Sequence, residues 1–388
     1  MVKGEKLWTP EVLKTKLSVC LFKWIAIINV EKKMKKVAFI GGYWAPNIGN
    51  AFFNLGANYV LNQIFEPENV TMVFDQPAYI TQWNTNKGNP PWAIDYWSHL
   101  NVDYVCLLGP VLTKAFLPIW KQCLDKLKER GIKYMILSAG MMKYDKNVIQ
   151  EIKSYFKINP PYVMTTRDTD TYKTFKEDVS NIYDGICFAF FMPECYKPIS
   201  TDLTPLMAIN FDKIDEPHIY IDEPEKPADI LFEFENQKIS MKFGGVFSKL
   251  GLKTDRFTDA IVYAMSPLPR GKRPVKIGKY NIIRTDHRFA PMFMRKVYRY
   301  NNSFCADIPH TYANIYAEAE ITLSDRVHAC AVTLAYGNAA YLFAKTGRSS
   351  LLHRVGAVGI EDHPVKIDLD YLNNEKSKMI QWLKSIKY

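Results

Sequence analysis

Between Ile321 and Gly337 the chain reads Ile-Thr-Leu-Ser-Asp-Arg-Val-His-Ala-Cys-Ala-Val-Thr-Leu-Ala-Tyr-Gly, and here lie the side chains best suited to chemistry. Ile321 to Leu323 is apolar enough for a short buried strand. Ser324 is a favoured N-cap, so a helix of small residues is expected from about Asp325 to Gly337, the glycine closing it. Arg326 and His328 then fall in the first turn after a strand, which in a doubly wound sheet is the ligand-binding edge. Unpaired N–H groups and the positive end of the helix dipole favour an anion there. A guanidinium adds bidentate grip, and an imidazole adds a group that titrates near neutrality. Phosphate and carboxylate are the ligands such a turn suits. The competing reading is an arginine in a salt bridge and a histidine filling a gap. Residues two apart do not share a helix face, so both can reach one ligand only from the loop or first turn.

Four other stretches carry comparable residue types. Gly41-Gly-Tyr-Trp-Ala-Pro-Asn-Ile-Gly-Asn50 leads from a strand into a helix, where glycines admit a ligand and Asn47 and Asn50 offer amides; it reads equally as a plain glycine turn. It matches neither the P-loop nor the G-x-G-x-x-G dinucleotide fingerprint. Thr165-Thr-Arg167-Asp168 opens a helix after a strand, and Arg167 either binds an anion across a cleft or pairs with Asp168 or Asp170. Lys345-Thr-Gly-Arg348 is a second basic loop, or a solvated turn, and Asp286-His287-Arg288 is a further candidate. No H-E-x-x-H, G-x-S-x-G or Asp-rich loop is present, so metalloprotease, serine-hydrolase and dedicated metal chemistry lack support.

These candidates need a scaffold of alternating strands and helices, and the pattern supplies one. Apolar runs at 37–42, 70–74, 103–109, 133–140, 162–166 and 182–190 read as strands, with helices at about 50–65, 116–130 and 147–155. Continuous apolar strands separated by helices imply a parallel sheet covered on both faces. Residues 193–205 turn polar with three prolines and read as a linker. Further strands follow at 206–210, 229–232, 258–264, 280–284, 321–323 and 337–344, and an amphipathic helix at 371–386 closes the chain. The expected architecture is α/β: two doubly wound, Rossmann-like domains facing a cleft in the glycosyltransferase-B manner. Residues 35–200 form the N-terminal, acceptor-side domain and 201–388 the C-terminal, donor-side domain with its closing helix, after a basic amphipathic segment at 1–34.

A chain of 388 residues exceeds one ordinary core, and 48% hydrophobic with 23% charged residues is a globular composition. Of the net charge of +10, six units come from nine lysines and three glutamates in the first 36 residues. No nucleic-acid-binding motif accompanies that charge, so no nucleic-acid partner is expected. The seven scattered cysteines include no C-x-x-C pair, which argues for a reducing cytoplasm and against disulfides or structural zinc. Leu17 to Val30 is apolar but interrupted by Lys23 and shorter than the ~20 residues a membrane span needs. With its lysines and Trp24 it suits an interfacial helix, and equally an extra helix packed on the first domain. A cytoplasmic body is expected, with at most peripheral contact at the inner face of the membrane.

Gly41-Gly42 with Asn47-Ile48-Gly49, the Arg167-Asp168 step, and Ser324-Asp-Arg326-Val-His328-Ala329 together resemble the polysaccharide pyruvyl transferases over roughly residues 37 to 360. That resemblance implies a two-domain fold of the B type. It also implies transfer of pyruvate from phosphoenolpyruvate, a co-substrate with no other cofactor, to two hydroxyls of a sugar or lipid-linked oligosaccharide. By position, Arg326 would bind the donor's anionic groups, and His328 would act as general acid or stabilise departing phosphate. Asn47, Gly49, Asn50, Arg167 and Asp168 would bind substrate from the first domain, and Ser324, Lys345 and Arg348 from the second. The chain departs from the family pattern at Asn50, where an acid is usual, at Gly109-Pro110, a reduced glycine turn, and at Asn338. Two other classes fit less well. A nucleotide-sugar-dependent glycosyltransferase of the B type would want a ribose-binding Glu after His328, and none is clear. A non-catalytic glycan-binding relative would tolerate Asn50.

Overall fold

A computed structural model describes residues 35–42, 44–74, 94–212, 214–244, 272–288, 296–344 and 347–388. The expected strand at 258–264, the N-terminal segment 1–34 and Lys345 lie outside the described residues. Among those described, no helix is long and apolar enough to cross a membrane.

The first domain runs β1 (Val37–Gly41), α1 (Gly49–Asn62), β2 (Val70–Phe74), β3 (Tyr104–Leu108), α2 (Phe116–Glu129), β4 (Lys133–Ala139), α3 (Lys146–Ile158), β5 (Val163–Thr166), α4 (Thr169–Phe175) and β6 (Ile182–Tyr183). Its strands are parallel in the order β2-β1-β3-β4-β5-β6. The order reverses between β1 and β3, so their carboxyl ends open the crevice in which such sheets bind ligands. β1 and β3 are buried at every position, as strands covered by helices on both faces must be.

The run at 182–190 is not one strand. Pairing stops at Tyr183, and Phe188–Phe191 forms a 3-10 turn leading into the short helix α5 (Met192–Cys195). A fully apolar run does not reveal its period, and here burial from all sides selects a turn wedged between the domains. Ser138 of β4 takes a left-handed φ of 53°, and its hydroxyl accepts the Phe188 amide at 3.2 Å.

The second domain holds β7 (Leu206–Asn210), β8 (His218–Ile221), β9 (Ile230–Phe234), β10 (Gln237–Lys242), β11 (Lys276–Ile277), β12 (Tyr280–Thr285), β13 (Ser303–Phe304), α6 (Pro309–Glu318), β14 (Ala319–Ser324), α7 (Val327–Ala335), β15 (Ala339–Leu342), α8 (Ser350–His353) and α9 (Leu369–Ser385). Its main sheet runs β11-β12-β7-β14-β15, parallel except for β11, with β13 beside β12. Alternation decides its two faces. Met207, Ile209, Ile282, Ile321, Leu323 and Tyr341 form one cluster with Ile219, Phe232, Ile239 and Met241 of the antiparallel sheet β8-β10-β9. Leu206, Ala208, Ala340 and Leu342 belong to the larger core shared with the first domain. One face of this sheet is thus covered by a small second sheet, the other by helices.

Helix α9, assigned to the second domain from sequence, packs on the first. Trp382 stacks on Tyr183 at 5.1 Å, and Tyr388 meets Phe65 at 4.8 Å and Tyr104 at 5.6 Å. Its polar face is tied to the second domain, where Arg354 reaches Glu375 at 2.7 Å. The six described cysteines are free, with Cys106, Cys187 and Cys330 buried.

Candidate active site

The Ser324 turn is built by side chains that leave its arginine extended. β14 ends at Ser324, whose hydroxyl accepts the Arg326 amide at 2.8 Å and donates to Asn210 Oδ1 at 3.2 Å. The Asp325 carboxylate accepts the amides of Asp212 (3.3 Å) and Ile214 (3.0 Å), joining this turn to the loop after β7. The helix therefore starts at Val327 with Arg326 at the N-cap, not at Ser324 as expected, because the serine hydroxyl is used one turn earlier. The other end is as expected. Gly337 takes φ +87°, and Gly337 N–H to Leu334 O with Asn338 N–H to Thr333 O is the Schellman pattern. β7 and β14 are the strands between which the second sheet reverses direction, so this turn too occupies a ligand-binding edge.

Arg326 pairs through Nε with the fully buried Asp212, while its Nη2 is buried without a hydrogen-bond partner. Burial alone would raise the Asp212 pKa, but Arg326, with Arg288 and His287, outweighs it and holds the carboxyl at about 2. Asp212 was not picked out from sequence. Its one signal is position, two residues beyond a strand end, and its partner is remote along the chain.

Arg167 comes to the same place from the first domain. It follows β5, is 1% exposed, and its Nε and Nη1 have no hydrogen-bond partner. Gly140 makes room for it, since a Cβ there would lie 2.3 Å from Arg167 Nε. It does not pair with Asp168 or Asp170. Asp168 instead caps α4, accepting from Thr171 N at 2.8 Å and from the Tyr144 hydroxyl at 2.7 Å. One carboxylate oxygen of Asp168, Oδ1, thus holds the turn that carries Arg167. Arg348 lies in the turn after β15. Burial, then Arg167 and Arg326, lower its pKa to about 10, so three guanidiniums from two domains stand close enough to repel.

His328, 4% exposed, lies in the first turn of α7 among these cations. Burial first, then Arg348 and Arg167, push its pKa well below 6.5, which corrects the expectation of titration near neutrality. Its Nε2 is 3.8 Å from Cys187 Sγ and its ring packs on Phe53 at 5.4 Å. His287 is a second neutral imidazole, lowered to about 3 by burial and then by Arg326. Its Nε2 meets the Tyr316 hydroxyl at 2.8 Å, and its carbonyl accepts the Ile48 amide at 2.6 Å. Gly49 suits this closeness. A Cβ there would lie 3.1 Å from Nδ1 of both histidines. Asn47 donates to Asn50 Oδ1 at 3.0 Å on the rim, and the buried Asn54, one turn further along α1, holds the glycine loop through Gly42 N (3.2 Å) and Trp44 Nε1 (2.8 Å). Of the sequence candidates, Gly49, Arg167, His287, Arg326, His328 and Arg348 converge. Asn47 and Asn50 border them, and Ser324 supports them from beneath.

The two imidazoles fix an acid limit to stability. Their folded pKa values lie below the unfolded 6.5, so the unfolded chain binds more protons between that value and the folded one. The associated stability is intact above pH 6.5 and falls as pH drops, by about 1.4 kcal/mol per unit for each fully shifted histidine. Asp212 contributes only below about pH 4, as pH falls from its unfolded towards its folded value, and leaves the slope between pH 7 and 5 unchanged. The melting temperature is expected to fall from pH 7 to pH 5, and His287→Asn to flatten that slope. A curve unchanged between pH 7 and 5 in the wild type contradicts the burial of neutral imidazoles.

A family model described as polysaccharide pyruvyl transferase matches residues 47–343. No curated protein matches the chain. Among solved structures, Staphylococcus aureus MnaA with UDP is 10% identical, covering 90% of each chain with a TM-score of 0.45. A UDP-N-acetylglucosamine 2-epimerase from Rickettsia bellii is 12% identical over 91% of this chain and 96% of its own, at a TM-score of 0.44. The UDP-GlcNAc 2-epimerase of Neisseria meningitidis bound to UDP-GlcNAc is 12% identical over 90% and 93%, at 0.42.

Proposed function

The chain belongs to the polysaccharide pyruvyl transferase family, and from that premise we propose that it moves a pyruvyl group from phosphoenolpyruvate to two hydroxyls of a sugar, forming a ketal. The sugar belongs to a cell-surface polysaccharide or its precursor. The observation that carries this reading is the buried cation cluster, in which Arg167 and Arg326 present donors with no protein partner and Arg348 stands beside them. Buried charges are ordinarily paired. A ligand bearing both a phosphate and a carboxylate supplies what these guanidiniums lack, with Arg326 aimed by Asp212.

Protonation of the donor's methylene carbon leaves a cationic carbon that one sugar hydroxyl attacks. The carbon–oxygen bond to phosphate then breaks with its electron pair, and the second hydroxyl closes the ketal. Of the two hydroxyl protons, one is balanced by the new methyl group and the other by hydrogenphosphate. Arg326, Arg348 and Arg167 hold the anionic groups, and His328 carries the proton at the reacting carbon or the departing phosphate.

Phosphoenolpyruvate is expected to raise the melting temperature by mass action on the native state, and a nucleoside diphosphate is not. Arg326→Ala is expected to weaken phosphoenolpyruvate binding by about 2–4 kcal/mol, the loss of a shielded bidentate contact to an anion. Stabilisation by a nucleotide sugar alone would refute the donor assignment.

A further inference from the structure

The 3-10 turn at Phe188–Phe191 brings a thiol from the first domain against the imidazole of His328. Cys187, directly before that turn, is fully buried, and its sulfur lies 3.8 Å from His328 Nε2. The guanidiniums of Arg167 and Arg348 act on the same sulfur, so the thiol borders the cation cluster. Arg167 stands there 1% exposed, with Nε and Nη1 unpartnered.

Which of the two atoms gives the hydrogen follows from what surrounds the sulfur. Burial raises the Cys187 pKa against the pull of Arg167, the Ala189 amide, the Ser138 hydroxyl and Arg348, and the thiol keeps its proton. The Ala189 N–H and the Ser138 O–H are donors, so the sulfur accepts from both. Ser138 has its lone pair engaged by the Phe188 amide at 3.2 Å, which leaves its proton for the sulfur. Its backbone is held at a φ of 53°, with its amide donating to Thr165 Oγ1 at 2.9 Å. Such a conformation costs free energy in a residue other than glycine and persists only where the surroundings impose it. A sulfur that already accepts twice has its own S–H to give, and His328 Nε2 is the acceptor in reach. A ring nitrogen that accepts carries no hydrogen, so the neutral imidazole holds its proton on Nδ1. Nδ1 faces the first domain, 3.1 Å from the place a Gly49 Cβ would take, as are Asn47 Oδ1 and His287 Nδ1.

We infer that Cys187 is a positioning residue for His328: its S–H, backed by Ser138, fixes the ring in the Nδ1–H form and turns that N–H towards Gly49. The part this plays in turnover rests on the pyruvyl-transfer reading; the tautomer does not. Nitrogen-labelled histidine in the full chain, free of ligand at pH 7, reports by long-range proton–nitrogen spectra which ring nitrogen carries hydrogen. His328→Gln identifies the signals by their loss. The wild type is expected to show His328 protonated on Nδ1, and Cys187→Ala and Cys187→Val to lose that preference and populate Nε2–H. Valine fills the space that alanine leaves, so a change common to both comes from the missing donor and not from a cavity. Melting temperatures verify that both variants fold. With phosphoenolpyruvate and an accepted sugar, both are expected to lower kcat about tenfold with KM little changed, as misaiming a reacting group does. An Nε2–H ring in the wild type, or an Nδ1–H ring in both variants, overturns the inference. Turnover unchanged in variants that have lost the Nδ1–H form overturns the positioning role. Wild-type protein that does not respond to phosphoenolpyruvate removes the donor reading, and the spectra still decide the tautomer.

Discussion

Replacing His328 with alanine is expected to lower turnover by roughly 10²–10⁴ while changing phosphoenolpyruvate affinity far less, the usual loss for a general acid or base. The argument starts from a difficulty. Burial and the neighbouring guanidiniums of Arg348 and Arg167 hold this imidazole neutral, and a neutral imidazole is a poor acid. The same residues supply the remedy. A donor with about three negative charges cancels the field of the arginines that depress the pKa, and places an anion beside the ring. Protonation of His328 is thereby coupled to donor binding. Calorimetry at pH 7 in buffers of different ionisation enthalpy is expected to record proton uptake with phosphoenolpyruvate, and His328→Ala to abolish it. Uptake unchanged in the variant would assign the proton to another group, and full turnover in the variant would remove His328 from the chemistry.

The scaffold was legible because its strands are buried on both faces. β1, β3 and β4 are continuous apolar runs, and the helices between them carry amphipathic patterns, so alternation alone implied parallel sheets. Where that logic lapses, so did the reading. The run ending at Phe191 is apolar throughout, and only contact with both domains makes it a turn. The sheet β8-β10-β9 covers another sheet with one face and meets solvent with the other, which ordinarily gives clean alternation, but the exposed Leu231 in β9 blurs it. At the site, Arg326 and His328 announced themselves by following a strand. His287 was marked, like Arg326, by following a strand, but Asp212 and Tyr316 become its neighbours and partners only when β7, β12 and α6 are brought together. Asp168 shows why a carboxylate before a helix reads two ways: it is as good a cap as a ligand, and here Oδ1 takes the capping role with the Thr171 amide.

Arg167→Met is expected to make the protein more stable and unable to respond to phosphoenolpyruvate. A buried guanidinium with two unpartnered nitrogens is a standing cost, because removing a charge from water is worth several kcal/mol and no carboxylate here repays it. Methionine fills a similar length of space against Gly140 without the charge. Relief of repulsion with Arg348 adds to the gain. For domains of 150–250 residues each kcal/mol is worth about 2–4 °C, so a rise of several degrees is the expected reading in ligand-free protein. The stabilisation by phosphoenolpyruvate seen in the wild type is expected to vanish in the same sample. Arg167→Lys separates charge from shape. It keeps the cation but loses the planar fork, so it is expected to bind the donor weakly and to gain no stability. A structural arginine would behave in the opposite way, with Arg167→Met melting early and still responding to phosphoenolpyruvate. That pair of results would assign Arg167 to the fold and leave Arg326 and Arg348 to hold the anion without a contribution from the first domain.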